Sequence, residues 1–218
     1  MTNLSAIILT GNEEGSIERC LKSVSFCDEI VLVDDNSIDK TVDLARNFGA
    51  KIYKRSLDEN FASQRNFGLS KVNSRWVLFL DADEEVGPAL RSEILSTISR
   101  EGSCVGFCIK RVDFIFGREI RFGELKDAMF LRLARKTAGK WIREVHEQWE
   151  IVGRVGTLKE KLFHYPHQTL REFIGHVNFM STIHAKSNFI EGKRSSIFKI
   201  IFWPIGKFIN GWIFKLGF

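Results

Sequence analysis

The sequence predicts an α/β fold, in which a mostly parallel sheet has helices on both faces and an amphipathic helical tail follows. The first observation is that short apolar runs alternate with segments of helical period through residues 1–110. The second is that these runs are almost continuously apolar, which is typical of strands buried on both faces. With 218 residues, 44% of them hydrophobic and 27% charged, the chain has the composition of a globular protein with one sizeable core.

The expected elements follow one another in a regular strand and helix order. Strands are predicted at 4–9, 29–35, 50–54, 75–80 and near 104–111, and helices at 16–24, 38–48, 60–72 and from Pro88 onward. The first helix shows the pattern behind these assignments, because its apolar residues have i, i+3, i+4, i+7 spacing: Ile17, Cys20, Leu21 and Val24. Gly49 is a favoured residue just after a helix, and Pro88 is favoured at a first helical position.

The charge and the cysteines exclude several classes of protein. The net charge of +5 comes from residues 186–218, which hold six basic residues and one acidic residue, while the rest of the chain is balanced. No nucleic-acid-binding motif occurs, so we expect no nucleic-acid partner. The four cysteines lack CxxC or zinc-type spacing and are expected to be reduced. The first residues do not resemble a secretory signal, which favours a cytoplasmic protein.

Three polar loops follow strands of the predicted sheet. They are "TGNEEG" (10–15), "DDNSID" (34–39) and "DADEE" (81–85). Because the carboxyl ends of parallel strands meet at one edge of a sheet, and ligands bind beyond that edge, we expect these loops to form one site. Neither a Gly-x-Gly-x-x-Gly turn nor a P-loop motif is present, which disfavours dehydrogenases and P-loop enzymes.

The Asp-Ala-Asp sequence of the third loop suits a divalent cation. In an extended segment Asp81 and Asp83 point to the same side, and two carboxylates on one side are good ligands for Mg²⁺ or Mn²⁺. An alternative is that the acidic strand end only favours the dipole of the next helix, through Glu84 or Glu85. The apolar run "WVLFL" (76–80) favours the ligand site, because it places the motif at the end of a central strand.

Three stretches together resemble the family 2 glycosyltransferases of GT-A (Rossmann-like) fold. They are "SAIILTGNEEGSIERCLKSV" (5–24), "EIVLVDDNSIDKTVDLA" (29–45) and "WVLFLDADEEV" (76–86). The second half resembles a subgroup that adds glucose or a similar sugar to the heptose region of the lipopolysaccharide core. The stretches that carry this likeness are "GREIRFG" (117–123), "LRLARK" (131–136), "REVHEQWE" (143–150) and "GTLKEKLFHY" (156–165).

The resemblance implies a UDP-sugar donor and the residues that bind it. Those expected to contact the nucleotide sugar are Thr10, Asn12, Glu13, Asp34, Asp35, Ser37, Arg65 and Asp81. Arg65 belongs to "ASQRNFG" (62–68), which resembles the family segment near the diphosphate, and it is preferred there over Gln64 and Asn66. Asp81 and Asp83 are the expected ligands of Mn²⁺ or Mg²⁺, which would neutralise charge on the leaving nucleoside diphosphate.

The resemblance also implies inversion at the anomeric carbon, for which one general base is needed. Glu147 is the first choice and His146 the second, both within "VHE" (145–147). His146 has two alternatives, a contact to the metal or diphosphate and an ordinary strand position. Glu124 and Asp127 stay open as further candidates.

Two further pairs of residues have a functional and an ordinary interpretation. Arg132 and Arg135 are expected either to pair with phosphates of the donor or acceptor or to lie on a solvated basic face. His164 and His167 flank Pro166 and are expected in a turn, because a zinc site would need further ligands.

The last residues predict attachment to a membrane surface. In "IFKIIFWPIGKFINGWIFKLGF" (197–218) seven aromatic residues are interleaved with three lysines. The lysines, one proline and three glycines disfavour a helix that crosses the bilayer. Aromatic rings at headgroup level and lysines near anionic lipid favour a peripheral anchor over a core or oligomer helix. We expect this anchor at the cytoplasmic face of the bacterial inner membrane.

Three regions and one function are expected. The regions are a nucleotide-sugar-binding half at 1–110, an acceptor-binding and catalytic half of the same domain at 111–185, and the basic aromatic tail at 186–218. The function is an inverting, metal-dependent glycosyltransferase that moves glucose from a UDP-sugar to a lipid-anchored glycan such as the lipopolysaccharide inner core. Alternatives are another acceptor (capsule, exopolysaccharide or polyprenyl phosphate) and a non-catalytic membrane-bound protein with the transferase fold. A sugar-phosphate nucleotidyltransferase is disfavoured, because "TGNEEG" lacks the Gly-rich loop with Arg and Lys expected there.

Overall fold

The parallel part of the sheet centres on the first strand. The computed structural model describes residues 4–100, 102–122, 126–143, 147–167 and 169–214. The parallel strands are β1 (Leu4–Thr10), β2 (Glu29–Asp34), β3 (Lys51–Lys54) and β4 (Trp76–Asp81). β1 lies between β2 and β4, and it is buried along its whole length. This explains the nearly continuous apolar sequence of β1, β2 and β4, since both faces of the sheet are covered there, whereas β3 at the edge is partly exposed.

Antiparallel strands extend the sheet beyond β4. They are β5 (Glu84–Val86), β6 (Cys104–Ile115), β8 (Met129–Arg135) and β11 (Arg154–His167). The order across the sheet is β3-β2-β1-β4-β8-β6-β11-β5. β5 begins three residues after β4 ends, a reach of roughly 11 Å, whereas four steps across a flat sheet would cover roughly 19 Å. The sheet therefore curls, so that β5 returns to the end of β4.

Helices cover both faces of the sheet, and the predicted α/β fold is confirmed. The helices of this part of the chain are α1 (Ile17–Ser23), α2 (Thr41–Asn47), α3 (Phe61–Lys71) and α4 (Pro88–Ser99). Alternate strand residues supply two cores, so that Ile8 packs in the core of α1, α2 and α4 and Ile7 in that of α3. The α3 helix approaches β1 closely, because a Cβ atom on Gly68 would lie 2.6 Å from Cγ2 of Ile7.

A small two-stranded sheet joins α3 on its side of the fold. Its strands are β9 (Gly139–Ile142) and β10 (Gln148–Ile151), which pair antiparallel. Trp141 of β9 and Trp149 of β10 lie opposite each other and are buried in the same core as Ile7. This hairpin is thereby fixed to the parallel part of the sheet.

Contacts divide the chain into two units. One contains residues 1–111 and 129–165, and the other contains residues 112–128 and 166–218. The elements of the second unit are β7 (Arg118–Glu119), which pairs with the end of β6, α5 (Leu170–Ile190), α6 (Ile197–Ile209) and a π-helical turn (Asn210–Phe214). Large apolar side chains of α6 are exposed, with Phe198 at 76% and Trp203 at 65%. Throughout the part of the chain that the structure describes, no helix has both the length and the apolar composition needed to cross a membrane.

Candidate active site

The ends of β1, β2 and β4 lie side by side and form the edge on which the polar loops meet. Thr10 is level with Asp34 of β2, and its neighbour Leu9 is level with Asp81 of β4. The hydroxyl of Thr10 is buried and has no hydrogen-bond partner among the described residues. Buried polar atoms are normally paired, so this hydroxyl is an exception at the sheet edge.

The first and second loops hold each other through their own side chains. The backbone N–H of Asn12 donates to Ser37 Oγ at 2.8 Å, and Asn12 Oδ1 accepts from the N–H of Ile38 at 2.9 Å. Ser37 donates from its N–H and its hydroxyl to the buried carboxylate of Asp34. Asn12 has a φ of 58°, in the left-handed region that asparagine tolerates. Asn12, Asp34 and Ser37 therefore shape the loops that were predicted to bind the nucleotide.

Two other predicted nucleotide contacts, Glu13 and Asp35, border the same edge. Asp35 Oδ1 accepts a hydrogen bond from the N–H of Leu57 at 2.9 Å, which ties the segment after β3 to this loop. Burial raises the pKa of Glu13 to about 7, although the hydroxyl of Ser16 donates to its carboxylate and opposes the shift. Nearby carboxylates of the site raise the pKa further. Glu13 is thus able to carry a proton near neutral pH.

Asp81 is held between two arginines. Arg65 Nη2 lies 2.8 Å from Asp81 Oδ1, and Arg132 Nη2 lies 2.6 Å from Asp81 Oδ2. Burial raises the pKa of Asp81, but the attraction of Arg132 and then of Arg65 outweighs it and holds the pKa well below its ordinary range. Asp81 is therefore ionised, and each of its oxygens already has a cationic partner.

Arg132 also binds Glu84 in the interior of the first unit. Its Nη2 lies 2.6 Å from Glu84 Oε1, and the N–H of Asp81 donates to Glu84 Oε2 at 3.0 Å. Arg132 and Glu84 are both buried, so neither expectation for Arg132, a phosphate contact or a solvated face, describes its position. The signal in the sequence was a single arginine between Leu131 and Leu133 of an apolar strand, where a buried counter-charge is needed.

Asp83 faces a different set of residues from Asp81. Its Oδ2 lies 3.2 Å from His164 Nε2, and its carbonyl accepts from the N–H of Tyr165 at 2.9 Å. His164 thus lies in β11 rather than in the predicted turn, and the side chain of His167 is outside the described part. Carboxylate and imidazole are suitable ligands for Mn²⁺, so the donor set of Asp83 and His164 fits such an ion. Among the described residues, no group of three or more His, Cys, Asp or Glu side chains is placed to hold a metal.

Glu147 reaches the same edge from the β9–β10 hairpin. Its Oε1 lies 2.9 Å from Arg65 Nε, so Arg65 contacts Asp81 and Glu147 at once. The other base candidates have different positions: Asp127 is exposed in the second unit, and His146 and Glu124 lie outside the described residues.

The remaining arginine and glutamine candidates are used elsewhere. Arg135 is level with Trp76 at the start of β4, the end opposite to Asp81. The side-chain amide of Gln64 bonds both the guanidinium and the carbonyl of Arg55. Neither residue is brought to the edge by the contacts of the described chain.

Solved structures with a similar fold identify the fold of this protein. A crystal structure of S. aureus TarS has a TM-score of 0.58 and 17% identity and covers 83% of this chain and 65% of that one. Glucosyl-3-phosphoglycerate synthase from Mycobacterium tuberculosis, in complex with Mn²⁺, uridine diphosphate and phosphoglyceric acid, has a TM-score of 0.55 and 13% identity, with 89% and 80% covered. The protein therefore has the GT-A glycosyltransferase fold, and it spans less than two thirds of the TarS structure.

The family follows from the sequence comparisons. The family described as "Glycosyl transferase family 2" matches residues 5–150, and the chain belongs to that family. A curated relative, the lipopolysaccharide core biosynthesis glycosyltransferase LpsC of Rhizobium meliloti (strain 1021), is 31% identical over an alignment of 208 residues, which covers 92% of this chain and 77% of the relative. An uncharacterized glycosyltransferase, RT0209 of Rickettsia typhi, is 28% identical over 236 residues, with 100% and 80% covered. The protein is thus a glycosyltransferase.

Proposed function

We propose that this glycosyltransferase is an inverting, metal-dependent hexosyltransferase, which moves glucose from a UDP-sugar to a lipid-anchored glycan such as the lipopolysaccharide inner core. The observation that carries the proposal is the position of Arg65, whose guanidinium lies 2.8 Å from Asp81 and 2.9 Å from Glu147. One side chain thus connects the loop edge, where the donor would bind, to a carboxylate that can accept a proton. An inverting transfer needs these two functions on opposite sides of one anomeric carbon.

On the donor side, the buried hydroxyl of Thr10 and the carboxyls of Glu13 and Asp35 would contact the uridine, in loops shaped by Asn12 and Asp34. A crystal structure of TarS in complex with UDP-GlcNAc, with a TM-score of 0.56, supports a UDP-sugar as the donor class.

A divalent ion fits the residues that follow β4. Asp83 and His164 would hold Mn²⁺ or Mg²⁺, and Asp81 is the second carboxylate of the motif. When bound, the ion would neutralise negative charge on the leaving nucleoside diphosphate. The M. tuberculosis synthase in complex with Mn²⁺ and uridine diphosphate supports this choice of cofactor.

On the acceptor side, the Glu147 carboxylate would take the proton from the attacking hydroxyl. Arg65, whose Nε lies 2.9 Å from Glu147 Oε1, would hold that carboxylate at the donor edge. The likeness to LpsC, a lipopolysaccharide core biosynthesis enzyme, supports a lipid-anchored core glycan over a capsule, exopolysaccharide or polyprenyl phosphate acceptor.

We also propose that α6 attaches the protein peripherally to the anionic cytoplasmic face of the inner membrane. Its exposed aromatic side chains lie near Lys199 and Lys207, and Lys207 Nζ is 5.9 Å from the ring of Trp203. Rings that enter the headgroup region and lysines that contact anionic lipid are typical of an interfacial helix. Attachment would keep the enzyme in the plane that holds its acceptor.

A transfer assay tests the function. The protein is incubated with a panel of UDP- and GDP-sugars, Mn²⁺ and a truncated lipopolysaccharide acceptor, and the product is analysed by mass spectrometry. We expect transfer from UDP-glucose with inverted anomeric configuration. No binding or turnover of any sugar nucleotide would overturn the proposal, and transfer only to another glycan would replace the acceptor.

Two variants assign the roles within that assay. Glu147→Gln should lower kcat by about 10²–10⁴-fold, since it removes the proton acceptor together with its charge beside Arg65. Donor affinity should change little, because the proposed uridine contacts remain. Asp83→Ala should abolish the Mn²⁺ dependence of UDP binding in calorimetry. If UDP binding to Asp83→Ala stays as metal-dependent as in the wild type, Asp83 is not a metal ligand.

A further inference from the structure

The amide side chain of Asn66 is paired with the backbone of the β9–β10 hairpin. Its Nδ2–H donates to the carbonyl of Trp141 at 2.8 Å, and its Oδ1 accepts from the N–H of Trp141 at 2.9 Å. Both main-chain polar groups of Trp141 therefore bond to one side chain, as they would to a neighbouring strand. Asn66 lies beside Arg65 in the segment that resembles a donor-binding segment, but its own polar atoms are used on the hairpin.

Arg65, the residue before Asn66, contacts the hairpin at the start of β10. Its side chain is only 4% exposed, its Nε contacts Glu147 at 2.9 Å, and its guanidinium lies 4.7 Å from the ring of Trp141. Glu147 immediately precedes β10, while Trp141 belongs to β9. Two consecutive residues of α3 thus contact the two strands of the hairpin: Asn66 bonds to β9, and Arg65 bonds to the proposed base just before β10.

The helix that provides these contacts packs closely against the sheet. Gly68 brings α3 so close to β1 that an added Cβ would meet Ile7 at 2.6 Å. The position of α3 on β1 therefore determines where Arg65 and Asn66 contact the hairpin.

Aromatic rings of the hairpin also pack against the strand β4. The rings of Trp141 and Trp149 stack with centroids 5.3 Å apart and an interplanar angle of 16°. Both meet the ring of Phe79 edge-on, at 5.1 and 4.9 Å. Phe79 lies two residues before Asp81 on β4, so these contacts connect the hairpin to the strand that ends in the Asp-Ala-Asp motif.

We propose that Asn66, together with Arg65, is a positioning residue for Glu147. Asn66 fixes the β9 strand, Arg65 fixes the carboxylate, and the two set the distance between the base and the donor edge. The proposal rests on the proposed role of Glu147 in transfer. It gives Asn66 no contact with the donor, which separates it from the nucleotide-binding residues.

Asn66→Ala tests the proposal. Loss of both bonds to Trp141 lets the hairpin shift, and a displacement of about 1 Å at a reacting group lowers kcat by about 100-fold. The Kd for UDP, measured by calorimetry with Mn²⁺ present, should stay within about twofold of the wild type because no donor contact is lost. Asn66→Gln, which keeps the amide donor and acceptor on a side chain one methylene longer, should show a smaller loss and serves if Asn66→Ala does not fold. Ser70→Ala is the matched control on α3, since the Ser70 hydroxyl is exposed and bonds only within the helix, to Phe67.

A spectroscopic measurement reports the hairpin without relying on catalysis. The stacked pair of Trp141 and Trp149 gives an exciton-coupled band in circular dichroism, which Asn66→Ala should weaken and Ser70→Ala should not. An unchanged kcat and an unchanged exciton band would overturn the proposal. A fall in UDP affinity that accounts for the whole loss of activity would overturn it too, because Asn66 would then be a donor contact. If the wild type transfers no sugar, the proposed function fails, while the exciton comparison still decides whether Asn66 orders the hairpin.

Discussion

At the scale of single residues, the two aspartates of the Asp-Ala-Asp motif make different contacts. Asp81 is neutralised by Arg65 and Arg132, while Asp83 turns to His164. The sequence predicts the strand that leads to this edge, because its apolar run is a local feature. Ala82 and Asp83 lie in a turn, so the extended segment that was expected to point both carboxylates to one side does not form. The sequence does not predict the arginine partners, because Arg132 follows Asp81 by 51 residues and only the antiparallel pairing of β8 with β4 brings them together.

Removal of Arg132 should destabilise the protein more than removal of a surface arginine. In Arg132→Met, the buried carboxylate of Glu84 and the partly exposed carboxylate of Asp81 lose a shared cation, and breaking the buried Arg132–Glu84 pair costs about 3–5 kcal/mol of unfolding free energy. Urea denaturation measures the change. Arg135→Met, on the same strand, is the control and should lose less than about 1 kcal/mol, since it gives up a long bond to the Gly102 carbonyl and a contact at 5.6 Å with the Trp76 ring, and no ion pair like that of Arg132 with Glu84. Equal losses in the two variants would contradict the buried network.

Glu13 should make the protein less stable as the pH rises toward neutrality. Burial raises the pKa of Glu13 in the folded protein from 4.5 to about 7, so the folded state binds this proton more tightly than the unfolded state does. The resulting stabilisation is complete below pH 4.5 and is lost between pH 4.5 and 7. Glu13→Gln should therefore reduce the difference in unfolding free energy between pH 5 and pH 8 by about 2 kcal/mol. Parallel pH profiles of the wild type and the variant would show that Glu13 titrates normally.

At the scale of elements, the first half of the chain follows its local pattern. β1, β2 and α1 lie within one or two residues of their predicted limits, because apolar runs and i, i+3, i+4, i+7 spacing are determined by nearby residues. The β9–β10 hairpin could not be predicted in this way. Its strands of four residues each are defined by Trp141 and Trp149 packing on Phe79, which is distant in sequence.

Removal of the tail should weaken the binding of the protein to membranes and leave its fold unchanged. Deletion of residues 197–218 removes the exposed aromatic side chains of α6, so binding to vesicles with anionic lipid should fall by at least about tenfold. Vesicle flotation measures the binding. The double variant Lys199→Ala/Lys207→Ala should bind with a weaker dependence on salt, because about 1 kcal/mol of attraction per lysine is lost. Unchanged flotation of the truncated protein would exclude α6 as the anchor.

At the scale of the whole molecule, the ligand loops belong to a single curled sheet. The residues between β4 and β5 connect the parallel strands to β11, so a ligand bound at this edge would contact both parts of the first unit. Uridine diphosphate with Mn²⁺ at about 100 times its Kd should add about 2.7 kcal/mol to the unfolding free energy. For a chain of this size the melting temperature should rise by about 5–10 °C, measured by differential scanning fluorimetry. Asp83→Ala is the control and should show a smaller rise, and no rise in the wild type would contradict a preformed donor site.

The curl of the sheet also limits how such an enzyme can acquire new substrates. An insertion between β4 and β5 would displace β5 along β11 and move Asp83 together with the strand pairing. A change in the length of this loop would therefore alter the proposed donor site and the pairing of β5 with β11 together.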